Sequence, residues 1–508
     1  MLATLFTAFQ IQSSLHSGSL SLPVTYDDVG YFNDALARLD VLYRHGGRAL
    51  LAGFWVNPPH APLQTLLALM GFGLLGPHPW AADAMNAVPL TLILRLFLGF
   101  ATRSLSLGIS TLLAAALLGF PLFGLLVLEF RPDMLCALLT TVGALTIAAD
   151  PRWRAGDRKM LAVSSALFVG ALLTKPTLAP ITAVVFAAAA VAAMASQREH
   201  AKAIARLALI CGGIGVLLVL PYYAAVLPSL FAYIWSNAFG SQASIWAKNA
   251  ATPNPALYYL TGPGGKVAIG TPWLALGTSL LVVSLPILFR TWRAAVAVLA
   301  VALVAYLGVT VPSMKSPFIG VVVPAFMLGI VALVTVALAQ RMPRRVAIAA
   351  AAGLFAFSVV TWRPVALRLF GAPVPPIQAQ NFTRIYLQTA DAIAAIPDLG
   401  QHRLYFPVIA QYLNLDNLAF ELRRRGMQAP VMEQLYLNAD LADHRAAMAR
   451  ADLAILFSDD SELPLPWPAS TGVLKEIGAS VRDSGAFEVV ATIDSGYYRG
   501  QVLVLKRK

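Results

Sequence analysis

Charge is scarce in this chain. Only 12% of its 508 residues are Asp, Glu, Lys or Arg, against about 25% in ordinary soluble domains. Hydrophobic residues make up 58%, and the mean hydropathy is +0.70. A water-surrounded core cannot absorb that much apolar surface. The shortage therefore excludes an ordinary soluble protein and leaves a multi-pass membrane protein. Cysteine is scarcer still. Cys136 and Cys211 both fall inside apolar runs, which argues against a disulfide framework or a cysteine-built metal site. The opening MLATLFTAFQI lacks a positive n-region and a small-residue cleavage site, so no cleavable signal peptide is expected. The formal net charge of +12 would suit a nucleic-acid binder. The Lys and Arg residues, however, lie mostly in short loops between apolar runs, where they set topology and meet anionic lipid headgroups. No nucleic-acid partner is expected.

What is present is a series of apolar runs, roughly 81–100, 105–128, 132–149, 160–174, 177–195, 205–227, 272–289, 294–311, 318–339 and 346–362. With the N-terminal segment the count is about eleven spans. The basic loops PRWRAGDRK (151–159), SQREHAKAIAR (196–206), RTWR (290–293) and QRMPRR (340–345) all face the cytoplasm under one alternation. This holds if 161–195 is a hairpin broken at TKP (174–176), where Pro176 and the residue before it interrupt a helix. LEFRPDM (128–134), TKP, PSMKSP (312–317), the loop 228–271 and the acidic stretch 22–40 then lie outside. The segment 62–76, about 15 residues and short for a span, becomes a juxtamembrane or re-entrant helix within a large first external loop of about 13–80. The membrane domain covers 1–362, and 363–379 is a Pro-rich linker. Residues 380–508 read as an extracytoplasmic soluble α/β domain: TRIYLQTADAIAAI has a helical period, and RLYFP, LAILFS, FEVVATI and QVLVLKRK read as strands.

Ionisable residues next to apolar helix ends are functional candidates by default. On the external side these are Asp27, Asp28, His60, Glu129, Arg131, Asp133, Lys175, Lys248, Lys266 and Lys315. Carboxylates that activate a hydroxyl, with cations that steady charge building on a departing phosphate, suit group transfer from a lipid-linked phosphosugar. Each also has a structural reading. Asp27 and Asp28 fit a helix N-cap and first-turn acid. Glu129, Arg131 and Asp133 could be an ion cluster ending a span, and Lys175 a snorkelling lysine at a helix break. TGPGGK (261–266) has the wrong spacing for a P-loop.

TYDDVGYFNDA resembles the Asp-Glu signature in the first external loop of the C-superfold membrane glycosyltransferases, the relatives of protein O-mannosyltransferases and of the lipid A aminoarabinose transferase. NPPHAPLQTLLALMGFGLLGPHPWAADAMNAV is similar to their HPPL…LFG stretch. FRPDMLCALLTTVGAL is similar to a second acidic element, GALLTKPTLAP to their LTKGP turn, and VPSMKSPFIGVVVPAF to a late basic loop. The elements occur in the family's order over roughly 22–340. The resemblance implies an α-helical multi-pass membrane protein of the C-type glycosyltransferase fold with a C-terminal α/β domain. It implies inverting transfer of a sugar from a polyprenyl-phosphate donor to a hydroxyl of a lipid, polysaccharide or protein acceptor, at the outer face of the plasma (inner) membrane.

By this resemblance Asp27 matches the catalytic aspartate, and Asp28 stands where Glu is usual. Asp133 matches the second acid, which in relatives positions the acceptor or a metal. His60, Arg131, Lys175, Lys315 and Tyr31 become substrate-binding candidates, with Lys175 a phosphate contact. The sequence departs from the pattern at Asp83, near a position where Arg is common, and at Asn57, where the aminoarabinose enzymes carry a charge. No cofactor is certain. The acids and His60 supply donors for a divalent metal ion, but no ligand spacing is diagnostic. Two rival readings stand beside the transferase: a transporter or lipid flippase, and a non-catalytic envelope assembly factor that keeps the fold.

Overall fold

The computed structural model describes the chain apart from residues 25, 156, 241–242, 244–253, 292–293, 313–314, 363–373, 375, 409, 411, 434, 437, 460–468 and 496–499, and apart from several further side chains, that of Asp27 among them. Lys248, half of RTWR and most of the expected linker thus lie outside the described residues. The chain forms two compact units. One comprises Met1–Gln12, His45–Leu67 and Asp83–Gly371. The other comprises Ser13–Arg44, Ala68–Ala82 and Ala372–Lys508.

The N-terminal helices are α1 (Leu2–Ser17), α2 (Tyr26–Val56), α3 (Pro62–Leu75) and α4 (Pro79–Ala84). Helix α2 changes unit beside Gly46, whose φ of 80° breaks the helical run; without a Cβ, glycine takes that left-handed conformation readily. The first unit continues with α5 (Ala87–Ala101), α6 (Leu107–Leu118), α7 (Pro121–Leu128), α8 (Pro132–Ala149), α9 (Arg158–Thr174), α10 (Ala179–Ser196), α11 (Ala201–Ala238), α12 (Thr271–Thr291), α13 (Ala294–Thr310), α14 (Val322–Ala339) and α15 (Arg344–Thr361).

Each run expected as a span is helical. Among the described residues six stretches are long and apolar enough to cross a membrane alone: Pro79–Ala101, Pro132–Ala149, Pro176–Ser196, Arg198–Asn237, Ile319–Ala339 and Arg344–Thr361. The pair α6–α7, bent by 66°, makes a seventh if it is one broken span. Pro121 starts a new helix after the bend, and Pro286 lies inside α12. The expected short helix at 62–76 is α3, below spanning length.

Helix α8 occupies the middle of the first unit. Nearly every side chain on it is buried, the mark of a core helix rather than an amphipathic one. Small residues let its neighbours approach. A Cβ on Gly143 would lie 2.3 Å from the Phe186 ring of α10, and one on Gly329 of α14 would lie 2.4 Å from Leu145. The expected hairpin is present. Lys175 leaves helical geometry (φ −139°, ψ 86°) directly before Pro176, and α10 follows a single 3-10 turn. At the far end of α8, Asp150 receives both terminal nitrogens of Arg103 at 2.9 and 2.8 Å and Nη2 of Arg152 at 3.2 Å. Gln340 donates to Ser104. The basic loops therefore gather at one end of these helices.

The second unit holds a five-stranded sheet of order β2-β1-β3-β5-β4. The strands are β1 (Arg403–Tyr405), β2 (Val431–Glu433), β3 (Leu453–Phe457), β4 (Phe487–Asp494) and β5 (Gln501–Arg507). The first three are parallel; β5 runs antiparallel to β3 and β4. The four expected strands are present, and β2 joins them. Helices α16 (Pro376–Ala394), α17 (Leu415–Arg424), α18 (Leu441–Arg450) and α19 (Leu474–Asp483) cover the sheet. Every residue of β3 is buried, as a strand covered on both faces requires. Leu453, Ile455 and Phe457 pack with Ile385 and Ile393 of α16, while Ala454 and Leu456 pack with Ala447 of α18 and Ile477 of α19.

Candidate active site

In the first unit the functional candidates collect at the end of the helices opposite the basic loops. Pro132 sits at the first position of α8, where its missing N–H costs nothing. This puts Asp133 in the first turn, where the helix dipole favours a carboxylate. Asp133 is 1% exposed, and its Oδ2 lies 3.4 Å from Nζ of Lys175, whose side chain is 13% exposed. The TKP break supplies that lysine: the chain leaves α9 there and must turn. Oδ1 of Asp133 is buried with no hydrogen-bond partner among the described residues. A dehydrated carboxylate oxygen of this kind gains from any donor that reaches it.

Directly before α8, Arg131 lays its guanidinium carbon 3.7 Å from the centre of the Phe318 ring, a cation–π contact. Its Nε is 3.9 Å from Glu129. Phe318 was not singled out from the sequence, because aromatics abound in this chain and none of its neighbours marks it as special. Lys315 lies in the same loop, almost wholly buried. Its ammonium donates to Thr310 O at 2.6 Å and to Pro312 O, so it closes the C-terminal end of α13 in the way lysines commonly do. Burial holds this ammonium below the usual lysine range. His60 is exposed. Its ring stands edge-on to Tyr233 at 5.9 Å, and its neighbour Pro59 accepts a hydrogen bond from Tyr222 at 2.9 Å. The structure thus pairs Asp133 with Lys175, and Arg131 with the Lys315 loop. Asp83 is buried.

In the second unit, Asp28 and Tyr31 lie on the first two turns of α2, and Tyr31 is buried. The side chain of Asp27 lies outside the described residues. Further along the motif, Asn33 uses both ends of its amide. It donates to Asp416 O at 2.8 Å and accepts from Arg423 Nη1 at 2.8 Å, both on α17. Phe32 packs between Phe72 and Phe420, at ring separations of 5.4 and 5.6 Å. The acid-bearing helix is therefore anchored on the α/β fold by the residues just after the acids. Among the described residues no three His, Cys, Asp or Glu side chains form a group that could hold a metal ion.

This arrangement of long apolar helices with a small α/β unit has solved counterparts. ArnT from Cupriavidus metallidurans in the apo state superposes with a TM-score of 0.60 over 99% of this chain and 97% of that one, at 15% identity. The same enzyme bound to undecaprenyl phosphate gives a TM-score of 0.60 and 16% identity over the same shares. The chain has the C-type membrane glycosyltransferase fold. No protein-family model matches the sequence, and no curated protein matches it. At this identity the likeness speaks for the fold, and it extends over the α/β unit as well as the membrane helices.

Proposed function

We propose that this chain is an inner-membrane glycosyltransferase that takes a sugar from a polyprenyl-phosphate donor and passes it to an acceptor hydroxyl outside the cytoplasm. The observation that carries the reading is the full-length match to a fold whose solved counterpart binds undecaprenyl phosphate. The buried Asp133–Lys175 pair supports it. A lysine held at a helix break beside a buried acid is a prepared phosphate contact, its position fixed before the donor arrives.

In this reading a carboxylate of the Asp27–Asp28 pair takes the acceptor proton. The acceptor oxygen forms its bond to the anomeric carbon as the bond to the phosphate oxygen breaks, and that electron pair leaves on the polyprenyl phosphate. Lys175 and Arg131 stabilise the charge that grows there. One displacement inverts the anomeric centre and needs no covalent enzyme intermediate. A phosphate is already a good leaving group, so no separate general acid is required.

The test is transfer of labelled sugar from a panel of polyprenyl-phosphate sugars, in membranes carrying the wild type or Asp27→Asn. Transfer by the wild type alone supports the enzyme and names the donor. Equal behaviour of the two, with both proteins folded and a broad acceptor panel, favours the assembly-factor or transporter reading.

A further inference from the structure

A groove in the first unit stands apart from the candidate active-site residues. It runs along one face of α8, lined there by Leu138, Thr141, Val142, Leu145, Thr146 and Ala149. That spacing is one helical stripe, and the eleven steps from Leu138 to Ala149 at 1.5 Å each make it about 16 Å long. One leaflet of hydrocarbon is about 15 Å deep. Helices α5 and α14 form the walls, with a cavity of about 130 Å³ between them. Gly329 belongs to the lining, and its missing side chain leaves room where α14 crosses α8.

With Thr141 and Thr146 its hydroxyl-bearing residues on α8, the groove is mainly apolar until its last turn. There it meets Asp150 and Arg152, at the end of the helices where the basic loops gather. Asp150 holds two guanidinium groups, those of Arg103 and Arg152. Two cations on one carboxylate leave a surplus of one positive charge, and the side chain of Arg152 is 44% exposed. An apolar slot one leaflet deep, ending in a net cation at headgroup level, matches an acyl chain joined to a phosphodiester monoanion. A zwitterionic lipid would bring its own ammonium against the surplus charge.

We infer that this groove is a binding site for one anionic phospholipid of the leaflet at the basic end, with an acyl chain along α8 and its phosphate at Arg152. The occupant is a membrane component rather than the sugar donor, because the charged end of the groove, at Asp150 and Arg152, is the end of α8 opposite Asp133 and Lys175.

The experiment uses the full chain purified in detergent and delipidated. Bound lipid is counted by native mass spectrometry, and the shift in thermal midpoint is followed, as a ligand that binds only the folded state must raise it. The probes are phosphatidylglycerol at several acyl lengths, phosphatidylcholine, glycerol phosphate and undecaprenyl phosphate. Phosphatidylglycerol is expected to bind with one tight equivalent, and more strongly as its chains lengthen. Arg152→Gln should weaken it about fivefold, the weight of one basic residue at an anionic surface. Ala332→Phe fills the groove without touching charge and should abolish the tight equivalent. Since a filled groove could also disturb folding, the chain-length series on the wild type stands as the independent arm. Equal binding of phosphatidylcholine, a flat response to chain length, glycerol phosphate binding as well as the lipid, or preference for undecaprenyl phosphate would each overturn the assignment.

Discussion

Asp133 and Lys175 are unequal partners. The carboxylate is 1% exposed and the lysine side chain 13%. Lys175→Met strands a buried charge, which costs about 3–5 kcal/mol. Asp133→Asn leaves an ammonium near enough to the surface to turn toward water, and should cost less. Removing both should recover much of the loss, because neither charge is then left alone. Thermal unfolding of the three variants in detergent gives the ranking, with Lys175→Met lowest; equal midpoints for the two single variants would show that the pair is not coupled in this way. Asp133 and Lys175 could be picked from the sequence because a charge at the border of an apolar run stands out. Phe318 beneath Arg131 could not, because a ring contact between residues far apart leaves no local pattern. Nor could the sequence foretell that Lys315 turns back onto its own loop, since that depends on where the carbonyls of α13 end.

At the scale of elements, the clamp at the end of α8 makes a pH prediction. Burial pushes the Asp150 carboxyl up, but hydrogen bonds from Arg103 and Arg152 outweigh it, and the net effect lowers its pKa. A carboxyl whose folded pKa lies below its unfolded one stabilises the fold fully above its ordinary value of 3.8. That contribution is lost as the pH falls through the depressed folded value. Asp150→Asn should therefore cost about 1–2 kcal/mol near neutrality, and the gap to the wild type should close in strong acid. Thermal midpoints at a series of pH values from 7 downward test this; a constant gap would place the clamp's contribution outside the charge. Helix α2 makes a second prediction. Asn33→Leu leaves the Arg423 donor and the Asp416 carbonyl without their partner, a loss of about 1–3 kcal/mol. Amide exchange should quicken over residues 26–44 and stay unchanged in β3 and β5. Uniform quickening would mean that Asn33 supports the whole unit instead. The hairpin break at TKP and four of five strands were legible because proline and alternation are local signals. Strand β2 is three residues long and pairs at the sheet edge, too short a run to show a period.

On the scale of the whole molecule, charge sorts along the helices of the first unit. Arg103, Arg152, Arg158, Lys159, Arg198, Lys202, Arg206, Arg341, Arg344 and Arg345 follow or precede helix ends on one side, while Glu129, Asp133 and the smaller number of cations lie at the other. That asymmetry was readable from the sequence, and so was the fold class, because both rest on composition and order. The grouping of Ser13–Arg44 and Ala68–Ala82 with Ala372–Lys508 was not readable, since it depends on pairings such as Asn33 with Arg423, 390 positions apart. The positive-inside rule assigns the basic end to the cytoplasm, and the proposed chemistry needs the other end outside. Alkaline phosphatase, which folds only where its disulfides can form, decides between the two orientations. Fused after Gln197, it should be inactive. Inserted at Gly262 or fused after Lys508, it should be active. The reverse pattern would turn the acidic end inward, and a donor presented at the outer surface could then no longer meet Lys175. An active fusion at all three positions would mean that α11, the helix between Gln197 and Gly262, does not cross. Lys315 would then lose its place on the same side as Asp133, while the hairpin α9–α10 and its ion pair would stand unaffected.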